Sequence, residues 1–462
     1  MVISNFVTYD LIFLALSIIF VAYFVYKRRE RVARQGLLYI YRTRIGINFI
    51  EKFSKKYSKI LKPLQYLILI VGYVLMIGII YALIWTIYIY LKVPAGSAIS
   101  KIPAIFPLIP YFNDILGIKN IFPIPFYFTY FIIAVGIVAV VHEFSHGIFA
   151  RLNNIKIHST GFAFLGPFIG AFVEQDEKQM NKAKIFPQLS ILAAGVFANI
   201  ITMIVFALLF LGFFALAFTP AGVYFTHSYS LVNTSEISSM DTVNFGNNTF
   251  LEIVSNNKTY FANIEAKQFI ENKTYDYVPG FVSTPAFDSL VKGNILLEAD
   301  GKRITSYSVY SNILSAKKPG DTINIKTLSK NVVYDYNITL SNVSGKAFLG
   351  LQQRSPELRG FVGNVIILMN WAENPAIYYT SNLGDFGLFI KYLFWWIIFI
   401  NLAVALSNMI PAGIFDGGRF FMLSVQAATK SKKIAEKAYK VATWLVIAAV
   451  IILMLKWVFN VI

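Results

Sequence analysis

Apolar residues along this chain gather into six runs of about 20 residues, the length a helix needs to cross a bilayer. They fall at roughly 9–26, 65–91, 126–150, 185–217, 386–410 and 440–459. Basic residues crowd some of the intervals: KRRERVARQ and KFSKKYSK within 27–62, then Arg151, Lys156, Lys178, Lys182 and Lys184, then Arg419 through Lys440. Loops rich in Lys and Arg stay on the cytoplasmic side. Alternation from the first loop puts 92–125 and 218–385 outside, and the basic clusters agree with that count. The pattern predicts an α-helical polytopic membrane protein of about six transmembrane helices, embedded in the cell membrane and contacting the lipid bilayer throughout.

Two stretches break the pattern. Residues 155–173, IKIHSTGFAFLGPFIGAFV, are apolar but interrupted by Gly161, Gly166, Pro167 and Gly170, too broken for a spanning helix. Alternating Phe and Gly suggest a membrane-embedded β-hairpin. Extended backbone at that depth needs a partner strand or protein cover, and an unwound substrate segment is one such partner. From about 218 to 360 the apolar runs shorten and Asn, Ser, Thr and Tyr become frequent. All six N-x-S/T sequons lie there, at Asn233, Asn247, Asn257, Asn272, Asn337 and Asn342. An Asn-rich composition alone also generates sequons, yet their clustering suits an extracytoplasmic domain. Asp300-Gly301 and Pro319-Gly320-Asp321 are turn signals between short strands. Ser283-Thr284-Pro285-Ala286 and Gly293-Asn294-Ile295-Leu296 resemble phrases of a PDZ domain, a module that holds peptides or chain termini by strand addition. Residues 225–280 read as an insertion into, or ahead of, that module.

Composition narrows the chemistry. At 56% hydrophobic and 14% charged over 462 residues, with mean hydropathy +0.60, the chain is an integral membrane protein. Zero Cys removes disulfides, thiol nucleophiles and Cys-ligated zinc. The net charge of +17 is carried by loops facing anionic headgroups, so no nucleic-acid partner is implied. The first apolar run leads into KRRER rather than small residues, which argues against a cleavable signal peptide.

Against that background His142-Glu143-Phe144-Ser145-His146 stands out, because an ionisable residue inside a span is costly and usually functional. A helix puts His142 and His146 on one face, one turn apart, where one metal ion bridges them. Glu143 is near enough to polarise a metal-bound water. The chain has only four His, and His158 and His227 read as bystanders. Two ligands leave a catalytic zinc one short. Asp416, in Asn408-Met409-Ile410-Pro411-Ala412-Gly413-Ile414-Phe415-Asp416-Gly417-Gly418, lies at the matching depth; Asp385, at the opposite mouth of the same span, is the weaker rival. Asn401 precedes Asn408 by two helical turns, so both amides share a face. They either contact the HEFSH helix or a substrate backbone, or act as interhelical glue.

HEFSH in one span with N-x-x-P…DGG after another resembles the site-2 protease family of intramembrane zinc metalloproteases. The resemblance implies that His142, His146 and Asp416 hold Zn2+ and that Glu143 is the general base. It also implies transmembrane protein substrates cut in or near their spans, as in regulated intramembrane proteolysis, with the active site toward the cytoplasm. Ala194-Gly195-Val196-Phe197-Ala198-Asn199 matches the family's AGP-x-x-N motif with Val for Pro, which carries the active-site polar role to Asn199. GPFIGAFVE is similar to the family's embedded hairpin, and the composition suits an archaeal member. Four parts follow: an N-terminal helical pair with a basic cytoplasmic loop (1–91), the first part of a catalytic core (92–217), an extracytoplasmic, mainly-β PDZ-like domain with a peptide or protein ligand (218–360), and the second part of the core (361–462). A membrane metal carrier, or an inactive binding scaffold, is the alternative, and for either Glu143 would be dispensable.

Overall fold

The apolar runs fold as helices that outlast the hydrophobic stretch marking them. The computed structural model describes residues 6–92, 108–111, 125–245, 248–272, 275–354 and 372–461. Most of the segment expected outside at 92–125, and all or part of the sequons at Asn247 and Asn272, lie outside the described residues. Six helices among the described residues are long and apolar enough to span a membrane: Phe6–Lys27, Ser58–Lys92, Phe128–Leu152, Ile185–Ala217, Gly384–Asn408 and Lys432–Phe459. The second begins seven residues before the expected 65, and the sixth eight before the expected 440. The reason is physical: SKILKPL and KKIAEKAY carry charged residues that lower their hydropathy, yet they continue the same helices.

The chain divides into two compact units, one comprising residues up to Phe213 together with Leu388 onward, the other Phe214–Gly387. In the first, a well-buried core joins the second span (Ile68), the fourth (Ile191, Ala193, Ala194, Val196), the end of the fifth (Ala405, Met409) and the helix Asp416–Thr429 (Phe420, Leu423). The basic interval after the first span is more than a loop. It forms β1 (Val32–Gln35), β2 (Leu38–Thr43) and a short amphipathic helix, Ile47–Lys56. The expected hairpin is β3 (Ile157–Leu165) and β4 (Phe168–Gln175). All four strands make one antiparallel sheet in the order β1-β2-β3-β4. Strand β2 pairs with β3 from Tyr39↔Phe164 to Thr43↔Thr160, so this chain itself supplies the hairpin's partner on one side. Strand β4 remains the sheet edge.

The second unit holds the strands expected between 218 and 360. Strand β5 (Phe218–His227) leads into β6 (Tyr229–Asn233), β7 (Ile237–Phe245), β8 (Asn248–Ser255), β9 (Lys258–Asn263) and β10 (Tyr277–Val282). The last five form their own sheet, β6-β10-β9-β8-β7, with its own small core of Val232, Leu251, Ile253, Ala262, Ile270 and Val278. The insertion read from sequence is therefore a separate layer. The chain then returns as β11 (Ile295–Ala299), β12 (Lys302–Arg303), β13 (Thr322–Ser329) and β14 (Val332–Thr339). Asp300 and Gly301, both with positive φ (46° and 72°), turn β11 into β12. After β15 (Ser341–Val343), β16 (Lys346–Phe348) and β17 (Leu351–Gln353), β18 (Ile377–Ser381) pairs with β5. With that pairing the unit runs on past 360 to Gly387, and so takes in the first turn of the fifth span, Gly384–Asn408.

Candidate metal centre

His142 and His146 lie in the third span, Phe128–Leu152, both buried, with their rings edge to face at 4.6 Å. Their Nε2 atoms are 3.0 Å apart. Asp416 Oδ2 stands 3.2 Å from each. A tetrahedral zinc with bonds of about 2.0–2.1 Å keeps its ligand atoms about 3.3 Å apart, close to this triangle. His142, His146 and Asp416 thus form a group able to hold a metal ion.

Local sequence explains why the three converge. A Cβ on Gly195 would sit 2.5 Å from His146 Nε2 and 2.7 Å from His142 Nε2, so only glycine lets the fourth span, Ile185–Ala217, press its backbone against both imidazoles. Val196, where the family motif has Pro, is fully buried in the core and the helix continues through it. Asp416 opens its helix directly after an extended Phe415. Cβ atoms on Gly417 and Gly418 would collide with the Met409 backbone and the Ala412 carbonyl at 2.3–2.6 Å. The paired glycines therefore allow the helix to start tightly against the turn that follows the fifth span, which brings the carboxylate to the histidines.

The far side of each ring is also held. His146 Nδ1 lies 2.7 Å from the Ile191 carbonyl, which can only accept, so Nδ1 carries the proton and Nε2 keeps its lone pair. Ser145 Oγ donates to the Ala194 carbonyl at 2.9 Å, a second tie between the two spans. His142 Nδ1 meets the Asn199 side-chain amide at 3.1 Å, and Asn199 is fully buried. As oriented, Asn199 Oδ1 has no partner among the described residues. Turning the amide over would let Oδ1 accept from His142 Nδ1–H and free Nε2 for a metal. This donor set fits a divalent zinc: two imidazoles, one carboxylate and no thiol.

Glu143 takes a different direction. Its Oε2 accepts from the Val173 N–H of β4 at 3.1 Å, which ties the sheet edge to the HEFSH helix. Next to it, Glu174 accepts from Ser159 and Arg42; the Ser159 hydroxyl first, then the Arg42 guanidinium, holds its carboxyl below the usual range. Asn401 does not reach the centre. It is fully buried, its amide donates to the Ile397 carbonyl of its own helix at 2.8 Å, and its Oδ1 has no partner among the described residues. Asn408 is half-buried at the end of the fifth span. Asp385, the rival ligand, lies at the opposite end of that helix from the centre.

Sequence reasoning missed Asp10. It is fully buried in the first span, and its carboxylate accepts from Phe128 N (2.9 Å), Thr129 N (2.7 Å), Thr129 Oγ1 (2.7 Å) and Tyr111 Oη (2.7 Å). It caps the N-terminus of the HEFSH helix from another element, where a negative charge is favoured. The available signal was an acidic residue inside an apolar run.

Spans of this kind around a His-His-Asp cluster with an adjacent Glu define a multi-pass membrane protein of the metallohydrolase class. Comparison sharpens the class: the profile of Peptidase family M50 matches residues 130–454, and the chain belongs to that family, the site-2 protease family of membrane metallopeptidases. The chain is also similar to an uncharacterized protein of Methanocaldococcus jannaschii, with 26% identity over 389 residues, covering 83% of this chain and 76% of that protein.

Proposed function

We propose that this protein is a zinc-dependent intramembrane endopeptidase that cuts substrate proteins within or beside their transmembrane segments. One observation carries the reading: three ligand atoms converge at 3.0–3.2 Å while Glu143, the residue next to the first ligand, is held by the sheet edge. His142, His146 and Asp416 hold the ion, which when bound supplies Lewis-acid polarisation and lowers the pKa of a water. Glu143 takes the proton from the attacking water and returns it to the leaving amine nitrogen, so one water is consumed and one C–N bond breaks. The Val173 N–H fixes Oε2, which leaves Oε1 to carry that proton. Asn199 fixes the His142 ring.

A helical substrate hides its carbonyls in its own hydrogen bonds and must unwind before attack. Among the described residues β4 is the edge of its sheet, with the Val173 N–H held by Glu143, so an unwound segment has the rest of that strand to join. Basic residues at 27–62, 151–184 and 419–440 support a cytoplasmic-side active site. On the same count residues 218–360 are an extracytoplasmic PDZ-like domain that filters substrates or binds a peptide or protein ligand, the arrangement expected in regulated intramembrane proteolysis. The four-part division at 91, 217 and 360 goes with this reading.

Cleavage of a model transmembrane substrate by purified protein tests the proposal, with bound zinc measured in the same samples. Glu143→Gln is expected to keep zinc and lose cleavage, and Asp416→Asn to lose both. Zinc binding without cleavage, unchanged in Glu143→Gln, would instead identify a metal carrier or scaffold.

A further inference from the structure

Behind the HEFSH helix, on the face turned away from the metal ligands, lies an apolar cavity of about 400 Å³. Val140, Phe144 and Ile148 line one wall from the third span, and Ala198 and Ile201 line the other from the fourth. These two helices run antiparallel, so 148 back to 140 and 198 on to 201 descend in the same direction. The cavity therefore runs between the span that carries His142, Glu143 and His146 and the span that carries Asn199. The wall's two hydroxyls are already committed, Ser145 Oγ to the Ala194 carbonyl and Thr202 Oγ1 to the Ala198 carbonyl. A slot of this size and composition fits hydrocarbon.

Its mouth is built differently. Phe49 and Phe53 of the short helix Ile47–Lys56, in the interval read as cytoplasmic, line it there. That helix is amphipathic and lies across the HEFSH helix: buried Ile50 packs on Gly147, and Glu51 pairs with Arg151 at 3.3 Å. The Arg151 pairing occupies the helix's only acid. Lys52, Lys55 and Lys56 remain exposed within a turn of the two Phe residues. A helix with one aromatic and one cationic face lies in the membrane interface and attracts anionic headgroups.

We infer that this cavity is a binding site for one anionic membrane lipid, with a hydrocarbon chain between the third and fourth spans and the headgroup at Lys52, Lys55 and Lys56. The bound chain fills the space behind His142 and His146 and braces the two helices against each other. Charge complementarity at the mouth favours a lipid over a substrate helix, whose insertion would place a protein segment rather than an acid at the lysines. This inference does not rest on proteolysis.

Native mass spectrometry of the full-length protein, stripped of lipid in detergent and titrated with phosphatidylglycerol or phosphatidylcholine, tests it. Wild type is expected to retain one phosphatidylglycerol in preference to phosphatidylcholine. Ala198→Phe, which fills the slot, is expected to abolish that adduct while zinc content stays at the wild-type level. Lys52→Gln, Lys55→Gln and Lys56→Gln are each expected to weaken phosphatidylglycerol about fivefold, leaving phosphatidylcholine unchanged. Equal retention of both lipids by wild type, or an undiminished adduct in Ala198→Phe, would overturn the site. So would displacement of the lipid by a model transmembrane peptide that binds wild type but not Ala198→Phe, since the slot would then belong to substrate.

Discussion

The two ends of the HEFSH helix both place ionisable groups inside a membrane protein, and they do so in opposite ways. At the N-terminal end Asp10 receives four hydrogen bonds, two from backbone N–H groups and two from hydroxyls, and its charge is spent on protein donors. Further along, His142, His146 and Asp416 point three acceptor-capable atoms at one another within 3.2 Å, with the donors arranged behind the rings instead of among them. The first arrangement is complete as it stands and does a capping job. The second gathers three groups that could hold a metal ion. Burial of charge is common to both; what separates structure from function is where the satisfying partners lie.

Substitutions at the two ends should separate cleanly. The largest effect is expected for Glu143→Gln, with cleavage down about 10²–10⁴-fold and metal content unchanged, read by steady-state cleavage of a model substrate alongside zinc analysis. Next comes Asn199→Ala, which strips the support from the His142 ring; zinc affinity is expected to fall about 10–100-fold in competition with a chelator. At the other end Asp10→Ala is expected to cost about 1–2 kcal/mol of stability through the lost cap, seen as a lower Tm of the detergent-solubilised protein, with zinc stoichiometry unaffected. Loss of zinc in that variant would erase the distinction. The smallest effect concerns pH. Because the Glu174 carboxyl is depressed by Ser159 and Arg42, the tie between β2 and β4 is present at neutral pH and is lost as pH falls through its folded value. Hydrogen exchange in β2 should rise under acid in wild type and already be raised at pH 7 in Glu174→Gln.

Much of this was readable from the chain, and the misses have definite causes. Hydropathy located the six spans because lipid imposes the same requirement on each, but it was blind to helical turns rich in charge, hence the early starts at Ser58 and Lys432. The convergence of His142, His146 and Asp416 was legible because i, i+4 spacing puts the two imidazoles on one face and few carboxylates compete for a place beside them. Strands β1 and β2 were hidden under a charge pattern that explained the segment by itself, although LYIYRT alternates as a strand does. Asn401 shares a helical face with Asn408, yet spacing cannot tell an amide that reaches a neighbour from one that folds back onto Ile397. Strand β18 belongs by pairing to β5, more than 140 residues earlier, and strand pairing over such distance leaves no local mark. Asp10 carried a usable signal, an acid in an apolar run, in a helix that the family motifs do not cover.

The most direct test of the account is X-ray absorption spectroscopy of the zinc-loaded, full-length protein. The geometry predicts two imidazole nitrogens and carboxylate oxygen at about 2.0–2.1 Å in wild type and in Glu143→Gln, with the zinc lost or its oxygen shell altered in Asp416→Asn. An identical first coordination shell in Asp416→Asn, or a wild-type shell without two imidazoles, would contradict the assignment of His142, His146 and Asp416 as the metal centre.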